Sequence, residues 1–269
     1  MLDDSGRTSQ TDRKFVADVA DVSFSNHLFL RLVAARRRFT NVDFKYSIFD
    51  TSYMRDCQFD SCDFTGCRFV GTNLYGSSFS GCKFDYAIFE RTHVDTALLD
   101  TECPAFENLK ARFARTLRVN YQQLGDAQAA NKAMRVELAA TEDHLYKAWH
   151  SNESYYRYKY RGWNRVKHFF DWLQFKILDH VWGNGESAGR LLRFVIVILF
   201  IMACYDVLKF GDPHRIDSYS SAFLTASEIF LGVLAPDSYP RWYLALVTFV
   251  RLVAVGFFLS VIIKKFNRR

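Results

Sequence analysis

The sequence predicts a multidomain membrane protein in which a short β-helix is joined through α-helices to an α-helical two-span transmembrane hairpin with a re-entrant segment. Three observations predict it. Large apolar residues recur at a strict five-residue period through the first part of the chain, helical spacing replaces that period near residue 104, and two long apolar runs occupy the last third.

The repeat comes first. Every fifth residue from Phe39 is large and apolar: Phe39, Phe44, Phe49, Met54, Phe59, Phe64, Phe69, Leu74, Phe79, Phe84, Phe89, Val94 and Leu99. Two positions ahead of each stands a residue that is nearly always small, among them Ser47, Ser52, Cys57, Cys62, Cys67, Thr72, Ser77 and Cys82. Period five fits neither an α-helix nor a strand, but it fits a coil of four short sides that sends one large and one small residue inward per side. Residues twenty apart then stack, so that Phe39, Phe59, Phe79 and Leu99 form one column, Phe44, Phe64 and Phe84 a second, Phe49, Phe69 and Phe89 a third, and Met54, Leu74 and Val94 the fourth. These residues resemble the pentapeptide-repeat family, and the resemblance implies a right-handed quadrilateral β-helix over 16–103. Val19, Phe24 and Phe29 continue the phase backward, whereas Leu32 and Ala34 invert the small and large positions.

Charge narrows the role of this part. The chain carries a net +6, yet residues 35–100 hold eight Lys or Arg against nine Asp or Glu. Some members of the family mimic DNA with an acidic surface, and a balanced surface favours instead a scaffold or sensor that takes a cytoplasmic protein partner. Cys57, Cys62, Cys67 and Cys82 hold one small position of the repeat and read as reduced thiols of a cytosolic domain. Residues 1–15 are polar and read as a disordered tail with no cleavable signal peptide.

Beyond the repeat, 104–153 reads as a helical hairpin capping the β-helix. Its first helix carries Leu109, Phe113, Leu117, Tyr121 and Leu124 and stops at Gly125; its second opens at Asp126 and carries Ala130, Met134, Leu138, Leu145 and Trp149. Residues 154–189 mix aromatic and basic side chains. Single-stranded nucleic acid and a lipid headgroup layer both suit that mixture. Its position just ahead of an apolar run favours an amphipathic interfacial helix anchored by Trp163, Trp172 and Trp182, with no nucleic-acid partner, followed by a turn at Gly183, Gly185 and Gly189.

The hairpin occupies 190–269. Leu191–Leu208 and Trp242–Ile263 are long enough to cross a bilayer, and Arg190, Arg193, Lys264, Lys265, Arg268 and Arg269 flank them on one side. This predicts a multi-pass protein of a bacterial inner membrane with both termini cytoplasmic. Between the spans, 219–236 holds an apolar stretch, Ser221–Ala235, too short to cross and broken by Pro236, Asp237 and Pro240; it reads as a re-entrant helix or as a short amphipathic helix capping the hairpin from outside. Span, short helix, Gly-containing loop and span resemble the two-helix potassium-channel-like family. That resemblance implies an ion-channel subunit, a homo-oligomer of four, pore or filter candidates Glu228, Gly232, Val233 and Leu234, and Gly256 as inner-helix glycine. The family's Thr-Val-Gly-Tyr-Gly type filter is replaced by Leu231-Gly232-Val233-Leu234, so the potassium filter itself is not carried over.

Arg251 stands ten residues into the second span. A charge at that depth costs from about 2.5 to more than 10 kcal/mol unless it faces protein or water. Glu228 is the first candidate counter-ion and Asp206 the second, and a ring of Arg251 side chains in an oligomer is a third arrangement. Nothing suggests catalysis or a cofactor: His144, His150, His168 and His180 lack metal-ligand spacing, and no nucleophile elbow, P-loop or zinc motif is present. Two functions follow from these residues, an oligomeric ion-channel-like membrane protein and a membrane-anchored scaffold whose hairpin is only an anchor.

Overall fold

The computed structural model describes residues 6–183 and 187–266, with backbone alone at 264–266. Gly185, Arg268, Arg269 and the side chains of Lys264 and Lys265 therefore lie outside the described residues. Two compact units divide the chain, residues 1–169 and 170–269.

The first unit opens with nine short strands: β1 (Thr8–Thr11), β2 (Val19–Ala20), β3 (His27–Leu30), β4 (Arg38–Thr40), β5 (Ile48–Asp50), β6 (Gln58–Asp60), β7 (Arg68–Val70), β8 (Ser78–Ser80) and β9 (Ile88–Glu90). Odd-numbered strands pair in one parallel sheet and even-numbered strands in another, in sequence order. Single parallel bridges, such as Val33 to Tyr53 to Asn73 and Asp43 to Asp63 to Lys83, build the two remaining sides. The result is a four-sided β-solenoid of about four turns. Corners fall at residues with positive φ, filled by Asn41, Tyr46, Thr51 and Asp56 in one turn and by Ser61, Gly66, Gly71 and Gly76 in the next. At Gly66 glycine is favoured by φ +69°, and the Tyr46 ring 2.6 Å from where a Cβ would stand adds a close approach that a side chain would disturb.

The predicted columns form. Phe39 stacks on Phe59 at 5.0 Å, Phe44 on Phe64 at 5.2 Å and Phe49 on Phe69 at 5.0 Å, with rings within about 12° of parallel. The small positions do more than save space. Ser47 Oγ donates to Phe24 O at 2.7 Å and accepts from His27 N at 2.9 Å, and Ser77 treats Met54 O and Cys57 N in the same way. A hydroxyl at this position satisfies backbone groups of the preceding coil that would otherwise be buried unpaired.

Two expectations change at the start of the solenoid. Leu32 and Ala34 are both fully buried, so the inversion exchanges sizes without breaking the coil. The tail expected through residue 15 gives way to a first coil from Thr8, because β1 pairs with β3 at an offset of 19 residues, Thr8 opposite His27, whereas β2 pairs with β4 at 20, Val19 opposite Phe39. Phe15 and Val19 both pack against the core, four residues apart rather than five. That one-residue slip hides the first coil from a strict period.

Helices α1 (Leu98–Thr101), α2 (Glu107–Gln123) and α3 (Ala127–His150) close the other end. Leu99 remains inward, on α1 rather than on a further coil. Leu109, Phe113, Leu117 and Tyr121 are the buried stripe of α2, and Phe113 packs on Phe84 and Phe89. Gly125 turns the chain with φ +75°, and Asp126 caps α3 by accepting from Ala129 N at 2.9 Å. Ala130 is buried as expected, but the packed face of α3 otherwise differs: Ala133 and Ala140 are buried, while Met134, Leu138, Leu145 and Trp149 are only partly covered. Alanines let the two helices approach closely, and Glu137 within that seam holds Arg115 at 2.8 Å and Arg118 at 2.7 Å.

The aromatic and basic stretch is two helices, α4 (Ser154–Lys159) and α5 (Trp163–Trp182), because Tyr160 turns extended and Gly162 takes φ +55°. The second unit continues into α6 (Ala188–Phe210), α7 (Ile216–Leu231) and α8 (Arg241–Phe266). Ala188–Phe210 and Arg241–Ile263 are long and apolar enough to cross a membrane, with mean hydropathies of 2.4 and 2.5.

Candidate pore segment

Helix α6 begins where Ser187 accepts from Arg190 N at 3.2 Å and ends at Gly211. A five-residue connection containing Gly211 and Pro213 then leads into α7, which packs along α6. Ala203 on α6 and Ala222 and Ala226 on α7 are small enough for close contact, and Met202, Val207, Ile229 and Phe230 fill the seam. Tyr239, Tyr243, Val247 and Ala254 bring the start and middle of α8 into the same core.

The placement of Gly232 ties the segment together. It terminates α7 with φ +79°, its N–H bonded to Ile229 O at 3.0 Å and Val233 N–H to Glu228 O at 2.9 Å, the hydrogen bonds of a glycine helix stop. Directly beside it lies the Arg251 guanidinium: a Cβ on Gly232 would collide with Arg251 Nη1 and stand 3.0 Å from Cζ. A cation there meets the negative end of the α7 dipole. Ten residues of α8 separate Arg251 from Arg241, about 15 Å of helix, so the end of α7 lies level with the middle of α8. Residues 233–240 return the chain to the start of α8, and eight residues span up to about 26 Å when extended.

The other expected site residues are distributed unevenly. Glu228 is exposed, and among the described residues neither it nor Asp206 forms an ion pair with Arg251. Asp206 instead accepts a hydrogen bond from the Tyr239 hydroxyl. Val233 and Leu234 are exposed, and α8 continues unbroken through Gly256, around which a Cβ would meet open space. Arg251 is the one charged residue lining a cavity of roughly 370 Å³ otherwise walled by apolar residues such as Leu191, Val195, Phe230 and Phe258.

The sequence reading missed an aromatic group at the far end of the hairpin. Tyr205 stacks on Tyr243 at 4.9 Å, Tyr239 on Tyr243 at 5.4 Å, and Phe210 leans on Tyr239 at 5.2 Å. Tyr239 and Tyr243, four residues apart at the entry to α8, were the available signal. The three tryptophans of α5 share no face, since a step of nine residues from Trp163 to Trp172 turns through half a circle at about 100° per residue. Trp163 is 82% exposed, and Trp182 stacks on Phe257 at 4.2 Å.

Comparison with known proteins bears on the first unit. The model of pentapeptide repeats matches residues 38–76 and 57–95, with eight copies. Among solved structures, a trypsin-treated variant of QnrB1, a plasmid-mediated fluoroquinolone resistance protein, matches at 14% identity over 31% of this chain and 68% of that one. Its TM-score of 0.17 is too low to support an argument. No curated protein matches the sequence. Residues 38–95 are thus pentapeptide repeats, wound into a β-solenoid with three columns of stacked rings and a fourth of Met54, Leu74 and Val94.

Proposed function

We propose that the chain is one subunit of an oligomeric, ion-channel-like membrane protein, with α6 and α8 as spans, α7 as a re-entrant helix, and the β-solenoid as a cytoplasmic assembly or sensing domain. The observation that carries this reading is the Gly232–Arg251 contact, which sets a helix terminus and a guanidinium together halfway along a span. An inert anchor requires neither. Backbone that leaves a helix at such a depth needs protein or a water-filled cavity around it, and so does the charge.

Burial supports the membrane part. Only 22% of the apolar window of α6 and 17% of that of α8 are covered within the chain, leaving Phe200, Ile201, Phe249 and Leu252 more than half exposed. The core helix of a water-soluble domain would show the reverse. Arg190 and Arg193 in the first turns of α6, with the basic residues that end the chain, favour both termini on the cytoplasmic side by the positive-inside rule. A single hairpin leaves Arg251 and Glu228 without ion-pair partners among the described residues, and neighbouring copies in a ring would supply them.

The test is ion flux through the purified chain in liposomes. The channel reading expects flux that Arg251→Leu alters or abolishes while insertion persists. A monomeric protein without flux, indifferent to that substitution, leaves the membrane-anchored scaffold in its place.

A further inference from the structure

A groove of about 590 Å³ lies in the first unit, between the last coil and the head of the α2–α3 hairpin. Its volume falls in the range of small-molecule sites. Tyr75 and the segment His93–Thr96 form one wall, and the end of α2 with the start of α3 forms the other.

Three residues that line it, Tyr121, Asp95 and Asp126, carry oxygen acceptors. Tyr121 is 2% exposed, and its hydroxyl is buried without a hydrogen-bond partner. Buried phenols ordinarily find one, so an orphan in the wall of a groove marks a group that a ligand completes. Asp95 uses Oδ2 to accept from Gly76 N, and Asp126 uses Oδ1 to accept from Ala129 N. Neither carboxylate is in an ion pair among the described residues. Both lie close enough to raise the Tyr121 phenol electrostatically, on top of the larger effect of burial, so the hydroxyl stays protonated and keeps its lone pairs available.

The groove's own cations do not fill this place: Arg135 also lines it and forms no ion pair with either carboxylate among the described residues. Lys132 Nζ is held 2.6 Å from Asp100 Oδ2 and 3.2 Å from Thr96 O. A metal ion is a poor fit as well, because among the described residues no three His, Cys, Asp or Glu side chains converge as ligands. A primary ammonium group offers three N–H donors to match three acceptors. Tyr75, 56% exposed, and Leu124 would take the carbon skeleton behind it.

We infer that this groove binds a small organic primary amine, its ammonium donating to Tyr121 Oη, Asp95 and Asp126 and its carbon chain lying against Tyr75. The site stands apart from the membrane reading, and its test is independent of ion flux.

The experiment is calorimetric titration of the full-length purified chain with butylammonium and phenethylammonium, with tetramethylammonium as a cation that has no N–H. The expected result is saturable binding of a primary amine, at least about tenfold tighter than tetramethylammonium. Asp126→Asn keeps an N-cap and Asp95→Asn keeps an acceptor for Gly76 N, so both should fold, and each should weaken binding at least about tenfold. Tyr121→Phe should weaken binding while leaving the melting temperature unchanged or raised, because it deletes an unpaired buried hydroxyl. A fall in melting temperature for that variant would show a structural hydroxyl and overturn the assignment. So would the absence of saturable amine binding up to about 10 mM, equal affinity for tetramethylammonium, or undiminished binding by the double variant Asp95→Asn/Asp126→Asn.

Discussion

Asn120 should be worth several kcal/mol to the first unit, although it lies on a helix and outside the repeat. In each earlier coil, a backbone N–H of the next turn reaches back to the small-position carbonyl, as Asn73 N does to Ser52 O and His93 N to Thr72 O. The hydroxyl twenty residues on accepts the small-position N–H, as Thr92 Oγ1 does from Thr72 N. At Thr92 no further turn exists. Asn120 supplies both partners from α2: its Oδ1 accepts from Thr92 N and its Nδ2 donates to Thr92 O, each at 2.7 Å, with both residues fully buried. Thr116 Oγ1 accepts from Phe89 N, Gln123 Oε1 from Arg91 N, and Glu102 Oε2 from Cys82 N, so side chains finish the open edge throughout.

Asn120→Leu keeps the volume and removes both partners. Two buried backbone groups left unpaired cost about 1 to 3 kcal/mol each, about 2 to 6 kcal/mol together. At roughly 2 to 4 °C per kcal/mol for a unit of this size, the melting temperature should fall by about 4 to 24 °C. Thermal unfolding followed by circular dichroism in mild detergent measures it. Val119→Ala, at a 40% exposed neighbour, should stay within about 0.5 kcal/mol of the parent protein. An Asn120→Leu protein melting within a degree of the parent refutes the account of edge termination.

Other consequences follow from the same geometry. Phe64→Asp should prevent folding of the solenoid, because it puts a carboxylate into a dry stack between Phe44 and Phe84; soluble, normally melting protein would contradict the column assignment. His144 is half-buried against Tyr156 and Tyr160, and burial, then Lys159 and His168, hold its pKa below the ordinary value. Below about pH 6.5 the unfolded chain takes up a proton that folded His144 resists, so stability should fall with pH there, and His144→Phe should flatten that slope. In the membrane reading, Asp212→Cys in a background without reactive native thiols should be modified in intact cells by an impermeant reagent; protection of that site would reverse the topology.

Much of this was legible because the solenoid repeats one instruction. A large residue every five, with a small one two ahead, specifies side, column and register together, and the structure keeps them from Val19 to Val94. The first coil was lost to a single-residue slip between Lys14 and Val19, and hydrophobic periodicity cannot see across a change of phase. Edge termination was illegible for another reason: Thr116, Asn120 and Gln123 stand one or two turns apart on α2, and nothing in their spacing tells a polar face turned to solvent from one turned to a strand edge. In the second unit, two long apolar helices and the short helix between them could be read from hydropathy, whereas the meeting of Gly232 with Arg251 depends on how far α7 travels back along α6.

The contrast between the two units says where partners are to be sought. The solenoid ends on side chains of its own chain, so coil-on-coil stacking at that end is blocked, and its terminal N–H groups at Cys82, Phe89, Arg91 and Thr92 all find side-chain acceptors. The hairpin is not completed in this way. Its long helices expose most of their apolar windows, and Arg251 and Glu228 form no ion pair among the described residues. Lipid can cover the first of these but cannot satisfy the second, since a guanidinium halfway along a span needs a polar partner. In the proposed reading, assembly is therefore driven from the hairpin, and the solenoid is carried into the ring with its amine groove still open.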